Sequence, residues 1–215
     1  HFDAVKDFDV IQIDLFKNLK INRIEFEQQE LNFTREFNAV FINFNREVLK
    51  GEKTSIKVYY EGNPRVAVNA PWDGGFSWEK DENGIDWIGV SCQGLGASSW
   101  WPNKDHQSDE PDSMLISCQV PEGLQCIANG NLRFHDLRKS SIHYNTYHWF
   151  VSNPINNYDV SLNIGDYTHF SDVYVSGQDT LDLDYYVLRY NEEKAREHFK
   201  EVKPMLECYE KFFGP

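Results

Sequence analysis

Short apolar segments separated by turns run along most of this chain, from Asp9 to about Val187. Segments of about four to eight residues that are rich in Val, Ile, Phe and Tyr predict β-strands. In segment 180–188, apolar and acidic residues alternate, which is the period of a half-buried antiparallel strand. The pattern therefore predicts a mainly β fold, either a β-sandwich or an open antiparallel sheet. The predicted strands are 10–15, 22–27, 39–44, 55–60, 87–92, 114–120, 147–151, 158–164 and 180–188.

The chain changes to a helical period after residue 188. Asn191 is a predicted N-cap, because a short polar side chain there can accept a hydrogen bond from the first helical turn. Pro204 lacks a backbone donor, so it predicts either a kink or two consecutive helices, with Pro204 opening the second. Gly214 and Pro215 predict the end of the helix. The apolar stripe, with spacings of three and four residues, consists of Phe199, Val202, Leu206, Tyr209 and Phe213.

This change divides the chain into a β domain, residues 1–188, and a short helical segment, residues 189–215. A helix with one apolar stripe must bury that stripe against another element, and little sequence follows it. We therefore expect the chain to be cut from a longer protein.

Charge and hydropathy exclude several classes of partner. The 215 residues have a formal net charge of −13 without a basic block, which predicts no nucleic-acid partner. No apolar run approaches the roughly 20 residues of a membrane helix, so we predict no membrane span. The start of the chain has no signal-peptide pattern.

The cysteines are scattered and form no CxxC pair, which predicts small buried apolar residues and leaves their pairing and the redox compartment open. They are Cys92, Cys118, Cys126 and Cys208.

No motif for metal binding or covalent catalysis is complete. None of the seven histidines has the HExxH spacing of a helical zinc site. Residues 89–93 match G-x-S-x-G except at the last position, and no strand-turn-helix pattern of a nucleophile elbow surrounds them. The sequence therefore predicts no catalytic residue and no metal ligand in this chain.

The loop 100–112, WWPNKDHQSDEPD, is rich in acidic side chains but has no helical or strand period. It lacks the alternating ligands and central glycine of an EF-hand calcium loop. A solvated, turn-rich connection is the favoured interpretation, and a calcium site is the alternative. The carboxylates concerned are Asp105, Asp109, Glu110 and Asp112.

Gln93 and Gly94 directly follow the apolar strand 87–92. A glutamine at a strand end offers an acceptor and two donors on a rigid scaffold, where binding residues are often found. The alternative is a glutamine that bonds only to the backbone of its own loop.

The order of motifs in residues 87–215 resembles the N-terminal domain of the aminopeptidase N family of zinc metallopeptidases, the gluzincin aminopeptidases, and most closely their bacterial branch. CQGLGASSWWPNKDHQSDEPD is followed by a strand with V-P, then by PINNY and GDY, and the chain ends with FGP. A succession of motifs in this order is more specific than any one of them.

The resemblance implies a saddle-like antiparallel β-sandwich domain with a short helical segment, which covers a zinc catalytic domain. It implies that Gln93, with Gly94, binds the amino terminus of a peptide substrate. It assigns a structural role to the loop 100–112, with Asp109, Glu110 and Pro111 as its core.

The family's catalytic motifs, GxMEN and HExxH, do not occur in this chain. The resemblance therefore predicts a zinc aminopeptidase as the full-length protein and no activity or cofactor in this fragment. The expected partners are the protein's own downstream catalytic domain and a peptide. We also expect the first strands to be truncated, and the branch suggests a periplasmic or secreted enzyme.

Two other functions fit the sequence less closely. A stand-alone carbohydrate- or protein-binding module could use the six tryptophans and 11 tyrosines as stacking platforms, although we expect most of them in the core. An interaction or scaffolding protein would use the acidic surface and the C-terminal helix.

Overall fold

The computed structural model describes residues 1–92, 94–137 and 143–214. Within these ranges the strands are β1 Phe2–Asp3, β2 Phe8–Asp14, β3 Leu19–Phe26, β4 Gln29–Glu30, β5 Asn32–Glu36, β6 Ala39–Val48, β7 Lys53–Thr54, β8 Lys57–Gly62, β9 Gly75–Lys80, β10 Asp86–Ser91, β11 Met114–Pro121, β12 Gln125–Ala128, β13 Asn131–Leu137, β14 Tyr144–Val151, β15 Leu162–Gly165, β16 Tyr167–Ser176 and β17 Asp179–Leu188. Helix α1 spans Glu192–His198 and α2 spans Val202–Phe213. Short 3₁₀ helices cover Ala97–Ser99, Asn157–Asp159, Arg189–Asn191 and Phe199–Glu201.

The first third of the chain forms a sandwich of two small antiparallel sheets, ordered β2-β6-β5 and β4-β3-β8. Ile24 and Phe26 of one sheet and Val40 and Ile42 of the other are at most 1% exposed and belong to one core cluster. In β3 the pairing shifts between Ile21 and Arg23, so Ile21 and Ile24 both face the core although they are three residues apart. The bulge therefore explains why the buried residues of β3 depart from the alternation of a regular strand.

A second sandwich packs the sheet β11-β14-β13 against the sheet β12-β15-β10-β9. Trp149 is 3% exposed, and its Nε1 donates to the carbonyl of Cys126 on the facing sheet at 2.9 Å. Tyr147 Oη donates to the Leu124 carbonyl at 3.3 Å. The large aromatic side chains therefore fill the core and also join the two sheets through their polar ends.

The two sandwiches meet at the loop that follows β10. Asp14, at the end of β2, forms a reciprocal backbone bridge with Asn103, with N···O distances of 2.7 and 3.2 Å. Phe16 N donates to the Ser98 carbonyl at 2.8 Å, and Tyr60 Oη donates to the Trp100 carbonyl at 3.1 Å. The loop 97–103 is thus built into the junction.

The C-terminal helices pack on the two-stranded ribbon β16-β17. The ring of Phe199 stacks on Tyr185 with centroids 4.7 Å apart. Lys203 Nζ donates to Asp172 at 2.8 Å, and Tyr174 Oη donates to Glu210 at 3.0 Å. The helical segment therefore has an apolar contact and polar contacts with the β domain.

The mainly β class with antiparallel sheets and C-terminal helices is confirmed. The expectation of two consecutive helices is also confirmed, but the second helix begins at Val202, and Pro204 lies in its first turn, where its missing donor costs nothing. Gly214 ends this helix with φ of +90°, and its N–H donates to the Glu210 carbonyl at 3.0 Å. The assignment of 189–215 to the start of a second domain stays a prediction.

Three expectations need correction. The segment 158–164 is not one strand, because Asn157–Asp159 forms a 3₁₀ turn and β15 begins only at Leu162. Asn191 occupies the N-cap position, but its side chain makes no capping hydrogen bond. Cys208 is exposed rather than buried, and all four cysteines are free thiols.

Several strands that the composition did not indicate are present, because their faces carry many polar residues and the pairing partner stabilises them. They are β5, β9, β12, β13 and β16, together with the two-residue strands β1, β4 and β7. No helix in the described part of the chain has the length and apolar character needed to cross a membrane.

Replacing a fully buried side chain of the first sandwich should destabilise the fold. Ile42 is 0% exposed, so Ile42→Ala should lower the free energy of unfolding by about 2–5 kcal/mol through lost burial and a cavity. Leu49→Ala, at a side chain 55% exposed, is the matched control and should change it by about 0.5 kcal/mol or less. Urea unfolding measures both, and equal losses would contradict the assigned core.

Helix docking should depend on pH through Asp172. The hydrogen bond from Lys203, together with the Val173 N–H, holds the pKa of Asp172 below its usual range. Its stabilising effect is therefore complete above the ordinary Asp pKa of about 3.9 and is lost as the pH falls through the lower pKa of the folded state.

Asp172→Asn should accordingly lower the melting temperature at pH 7, and the difference from the wild type should shrink as the pH falls below about 4. Asp182→Asn, on the partner strand of the same ribbon, is the control. A difference that stays constant with pH would show that the charge of Asp172 is not involved.

Candidate functional site

The candidate site is the turn at the end of β10. Strand β10 ends at Ser91, and Cys92 is buried beneath the turn. The N–H groups of Leu95 and Gly96 both donate to the Cys92 carbonyl, at 3.0 and 2.8 Å. The chain therefore reverses sharply just after the strand, as a binding turn on a rigid scaffold requires.

The structure describes one of the two predicted substrate-binding residues. Gly94 lies at the surface of the turn with φ of +80°, and a Cβ there would meet no atom within 4 Å. The backbone of the turn is therefore open to an approaching ligand at this point. Gln93 lies outside the described residues, and its role stays a prediction.

Asp105 organises the loop that follows the turn. Its Oδ2 accepts hydrogen bonds from the Ser98 N–H at 3.1 Å and from Ser98 Oγ at 2.6 Å. Its own N–H donates to Asp14 Oδ2 at 3.1 Å, across 91 residues of sequence. Asp14 Oδ1 in turn accepts from Gln12 Nε2 at 2.9 Å. One acidic residue thus connects the turn, the loop and the first sandwich.

Sequence reasoning missed this role and placed the core of the loop at Asp109, Glu110 and Pro111. Asp109 instead forms a surface contact with Lys104 Nζ at 3.2 Å, and the Pro111 carbonyl accepts from Ile155 N at 3.3 Å. No local pattern distinguishes Asp105 from the other acidic residues, because its partner Asp14 is remote in sequence.

The carboxylates of this loop point to different partners, which favours the turn-rich connection over a calcium site. Asp105 bonds to Ser98, whereas Asp109 bonds to Lys104. In residues 1–92, 94–137 and 143–214, no three His, Cys, Asp or Glu side chains are grouped so that they could hold a metal ion.

The nucleophile candidates near the turn are not activated. Ser91 Oγ donates to the Pro71 carbonyl at 3.1 Å. Burial raises the pKa of the Cys92 thiol, and Trp100 Nε1 donates to its Sγ at 3.1 Å. A buried thiol with a raised pKa stays protonated at neutral pH, so it is a poor nucleophile.

A second loop, residues 63–74, lies against the same turn. A Cβ on Gly74 would approach Leu95 Cβ to 2.7 Å, which shows how closely the two segments pack. Asp73 Oδ2 accepts from the Val68 N–H at 2.6 Å and closes the loop on itself. Trp72 projects from this loop and is 81% exposed. The loop that packs on Leu95 therefore carries an exposed apolar side chain.

A cleft of about 620 Å³ is lined in part by the turn itself, through Gly94, Leu95 and Gly96. Its lining comes from both sandwiches and from the loop between them. The polar residues of the lining include Gln12, Asp14, Asn38, Asp105 and Asn157.

Comparison with known proteins adds a likeness of fold. No protein-family model and no curated protein sequence matches the chain. Among solved structures, an M1 zinc metallopeptidase from Deinococcus radiodurans has a TM-score of 0.76 and 18% sequence identity, over 99% of this chain and 47% of that chain. A mutant of a two-domain M1 zinc metallopeptidase bound to L-tryptophan has a TM-score of 0.76 and 18% identity, over 99% and 48%.

A mutant of the Deinococcus radiodurans enzyme bound to a Tyr-Ser-Ala substrate has a TM-score of 0.76 and 17% identity, over 99% of this chain and 47% of that chain. The present chain thus spans about half the length of the solved structures that it matches. At this level of identity the likeness establishes the fold, which is that of about half of a zinc metallopeptidase.

Two glycines of the turn should respond differently to a methyl group. In Gly96→Ala the new Cβ would lie 2.1 Å from Asp105 Oδ2, at a φ of +96°, so the Asp105 contact must break. We expect a loss of about 3 kcal/mol or more in the free energy of unfolding. Gly94→Ala meets open space, and only the cost of its positive φ, about 1–2 kcal/mol, should remain.

Chemical denaturation of both variants measures this difference. Equal losses in the two variants would show that the contact between Gly96 and Asp105 does not determine the conformation of the loop.

Proposed function

We propose that this chain is the noncatalytic N-terminal domain of a zinc aminopeptidase, which walls the substrate cavity and helps to hold the amino terminus of the peptide. The observation that carries the proposal is the match of 99% of the chain to about half of zinc metallopeptidase structures. The ordered motifs of residues 87–215 support the same family independently of the fold.

The turn after β10 supports the assignment of Gln93 and Gly94 to substrate binding. A glutamine side chain can accept a hydrogen bond from a peptide ammonium, and hydrogen bonds to charged groups contribute roughly 1.5–3 kcal/mol. It has no net charge, so the main charge partner of the ammonium must come from another part of the enzyme. Gly94 adds an open backbone beside it. In this proposal the exposed Trp72 contributes to the same wall.

Zinc would be bound by the downstream catalytic domain and not by this chain. The described residues contain no group of three His, Cys, Asp or Glu side chains that fits a metal ion, and HExxH is absent from the sequence. These residues therefore do not fit a zinc site, and we assign them no part in hydrolysis. Their proposed task is to position and enclose the peptide.

The arrangement of the tryptophans does not favour a carbohydrate-binding module. Trp78 pairs with Ile88 and Trp87 pairs with Glu79, so the two exposed indoles lie on opposite faces of β9-β10. Trp72 lies in a separate loop. Most of the tryptophans and tyrosines are buried or half-buried, as expected; the exposed tryptophans Trp72, Trp78 and Trp87 form no common stacking platform.

The proposal is tested by the coding sequence downstream of residue 215 and by the protein that it encodes. We expect GxMEN and HExxH to follow, and the full-length protein to hydrolyse peptides with a free amino terminus. A zinc chelator should abolish this activity, and added zinc should restore it. The 215-residue chain alone should be inactive. A stop codon after residue 215, or full-length activity that is insensitive to chelators, would contradict the proposal.

Gln93→Ala in the full-length protein should raise KM for peptides with a free amino terminus by about tenfold, the equivalent of one hydrogen bond to a charged group. Gln178→Ala, at an exposed hairpin of β16-β17, is the matched control and should leave KM unchanged. An unchanged KM in Gln93→Ala would remove Gln93 from the proposed site while leaving the domain assignment intact.

A further inference from the structure

The cleft of about 620 Å³ between the first sandwich and the loop 94–107 has an unbalanced negative lining. Asp14 and Asp105 are on its walls, and no Lys or Arg is among the described residues that line it. The imidazole of His106 also lines the cleft, and its Nδ1 is already in contact with Ser108 Oγ at 2.7 Å. The volume is typical of sites that bind small molecules.

One buried acceptor of this lining, in Asn157, has no hydrogen-bond partner among the described residues. Asn157 is 4% exposed, and its Nδ2 donates to the Lys104 carbonyl at 3.0 Å, which fixes the orientation of the amide. Its Oδ1 is buried and accepts no hydrogen bond in the described part of the chain. Asp105 is only half-buried and is not such a case: it uses Oδ2 for both hydrogen bonds from Ser98, and its Oδ1 accepts none from the described residues. A buried acceptor without a donor is costly, so a ligand that supplies donors is favoured.

The chemistry of the lining selects an organic cation. Anions are disfavoured by the two carboxylates. A bare metal ion is disfavoured because no three His, Cys, Asp or Glu side chains are grouped in the described ranges, and because the cleft is far larger than an ion. A guanidinium or a primary ammonium carries several donors and a positive charge, and can bond to carboxylate and amide oxygens together.

We propose that this cleft binds the guanidinium or ammonium group of a basic side chain of a peptide. Asp14 and Asp105 supply the negative charge, and the Asn157 amide oxygen is a neutral acceptor. Gly94 of the proposed substrate turn also lines this cleft. The site requires neither the amino terminus of the peptide nor the zinc domain, so a ligand without a free amino terminus tests it separately from the function proposed above.

The probe is N-acetyl-L-arginine amide, which has no free amino terminus and so cannot use the turn at Gln93 and Gly94 as proposed for substrates. N-acetyl-L-citrulline amide is the neutral isostere. Calorimetric titration of the 215-residue chain should give an affinity for the arginine derivative at least about tenfold above that for citrulline, the effect of one charge-assisted contact. Equal affinities, or no binding of either, would overturn the proposal.

Matched variants separate the cleft from the general negative charge of the protein. Asp14→Asn removes one charge from the cleft but can still accept from the Asp105 N–H, and it should weaken binding by about tenfold. Asp109→Asn removes the same charge outside the cleft and should leave binding unchanged. An equal loss in both variants would reduce the effect to nonspecific attraction and overturn the site.

A gain of affinity provides a test that does not depend on a destabilised variant. Asn38 lines the cleft, and its Oδ1 accepts from the Lys17 N–H at 3.1 Å, which an aspartate can still do. Asn38→Asp adds a negative charge to the cleft. It should increase the affinity for the arginine derivative severalfold, because a partly screened charge pair contributes about that much to binding. Unchanged or weaker binding in a variant with a normal melting temperature would overturn the proposal.

Discussion

The hydrogen bonds of Asp105 join the loop that follows β10 to the end of β2 in the first sandwich. Its carboxylate holds Ser98 at the start of the loop, and its N–H reaches Asp14 at the end of β2. The backbone bridge between Asp14 and Asn103 adds a second connection at the same point. Each sandwich has its own apolar core, so burial alone does not set their relative position. Directional hydrogen bonds at the junction add to the contacts between the two sandwiches. They require glycine at position 96, because any side chain there would displace the Asp105 carboxylate.

The candidate turn and the cleft both result from this junction. The turn after β10 is supported from below by buried Cys92, from one side by the loop 63–74 and from the other by Asp105. The cleft lies where the first sandwich and the loop meet. Its acidic lining consists in part of the residues that make those contacts, Asp14 and Asp105.

The sequence predicted the strands whose apolar residues form continuous or alternating runs, such as 39–44 in β6 and 180–188 in β17. It did not indicate β16, where Thr, His, Ser and Asp interrupt the pattern, because that strand depends on its partner β17 and on the helices that cover the ribbon. Pro204 and Gly214 identified the two helices and their end, since both act through local backbone geometry. Asp14 and Asp105 were not identified, because their contact joins positions 91 residues apart.

The sequence by itself determined the mainly β class, the helical C-terminal segment, the absence of a catalytic motif and the likeness to one family. These depend on the period of apolar residues, on proline and glycine, and on the order of short motifs, all of which are local properties of the chain. Only the tertiary structure decided which acidic residue of the loop 100–112 organises it, which acceptors lack a donor, and which walls form the cleft. Those features arise from hydrogen bonds between remote segments, and such contacts exist only after both sandwiches have folded and met.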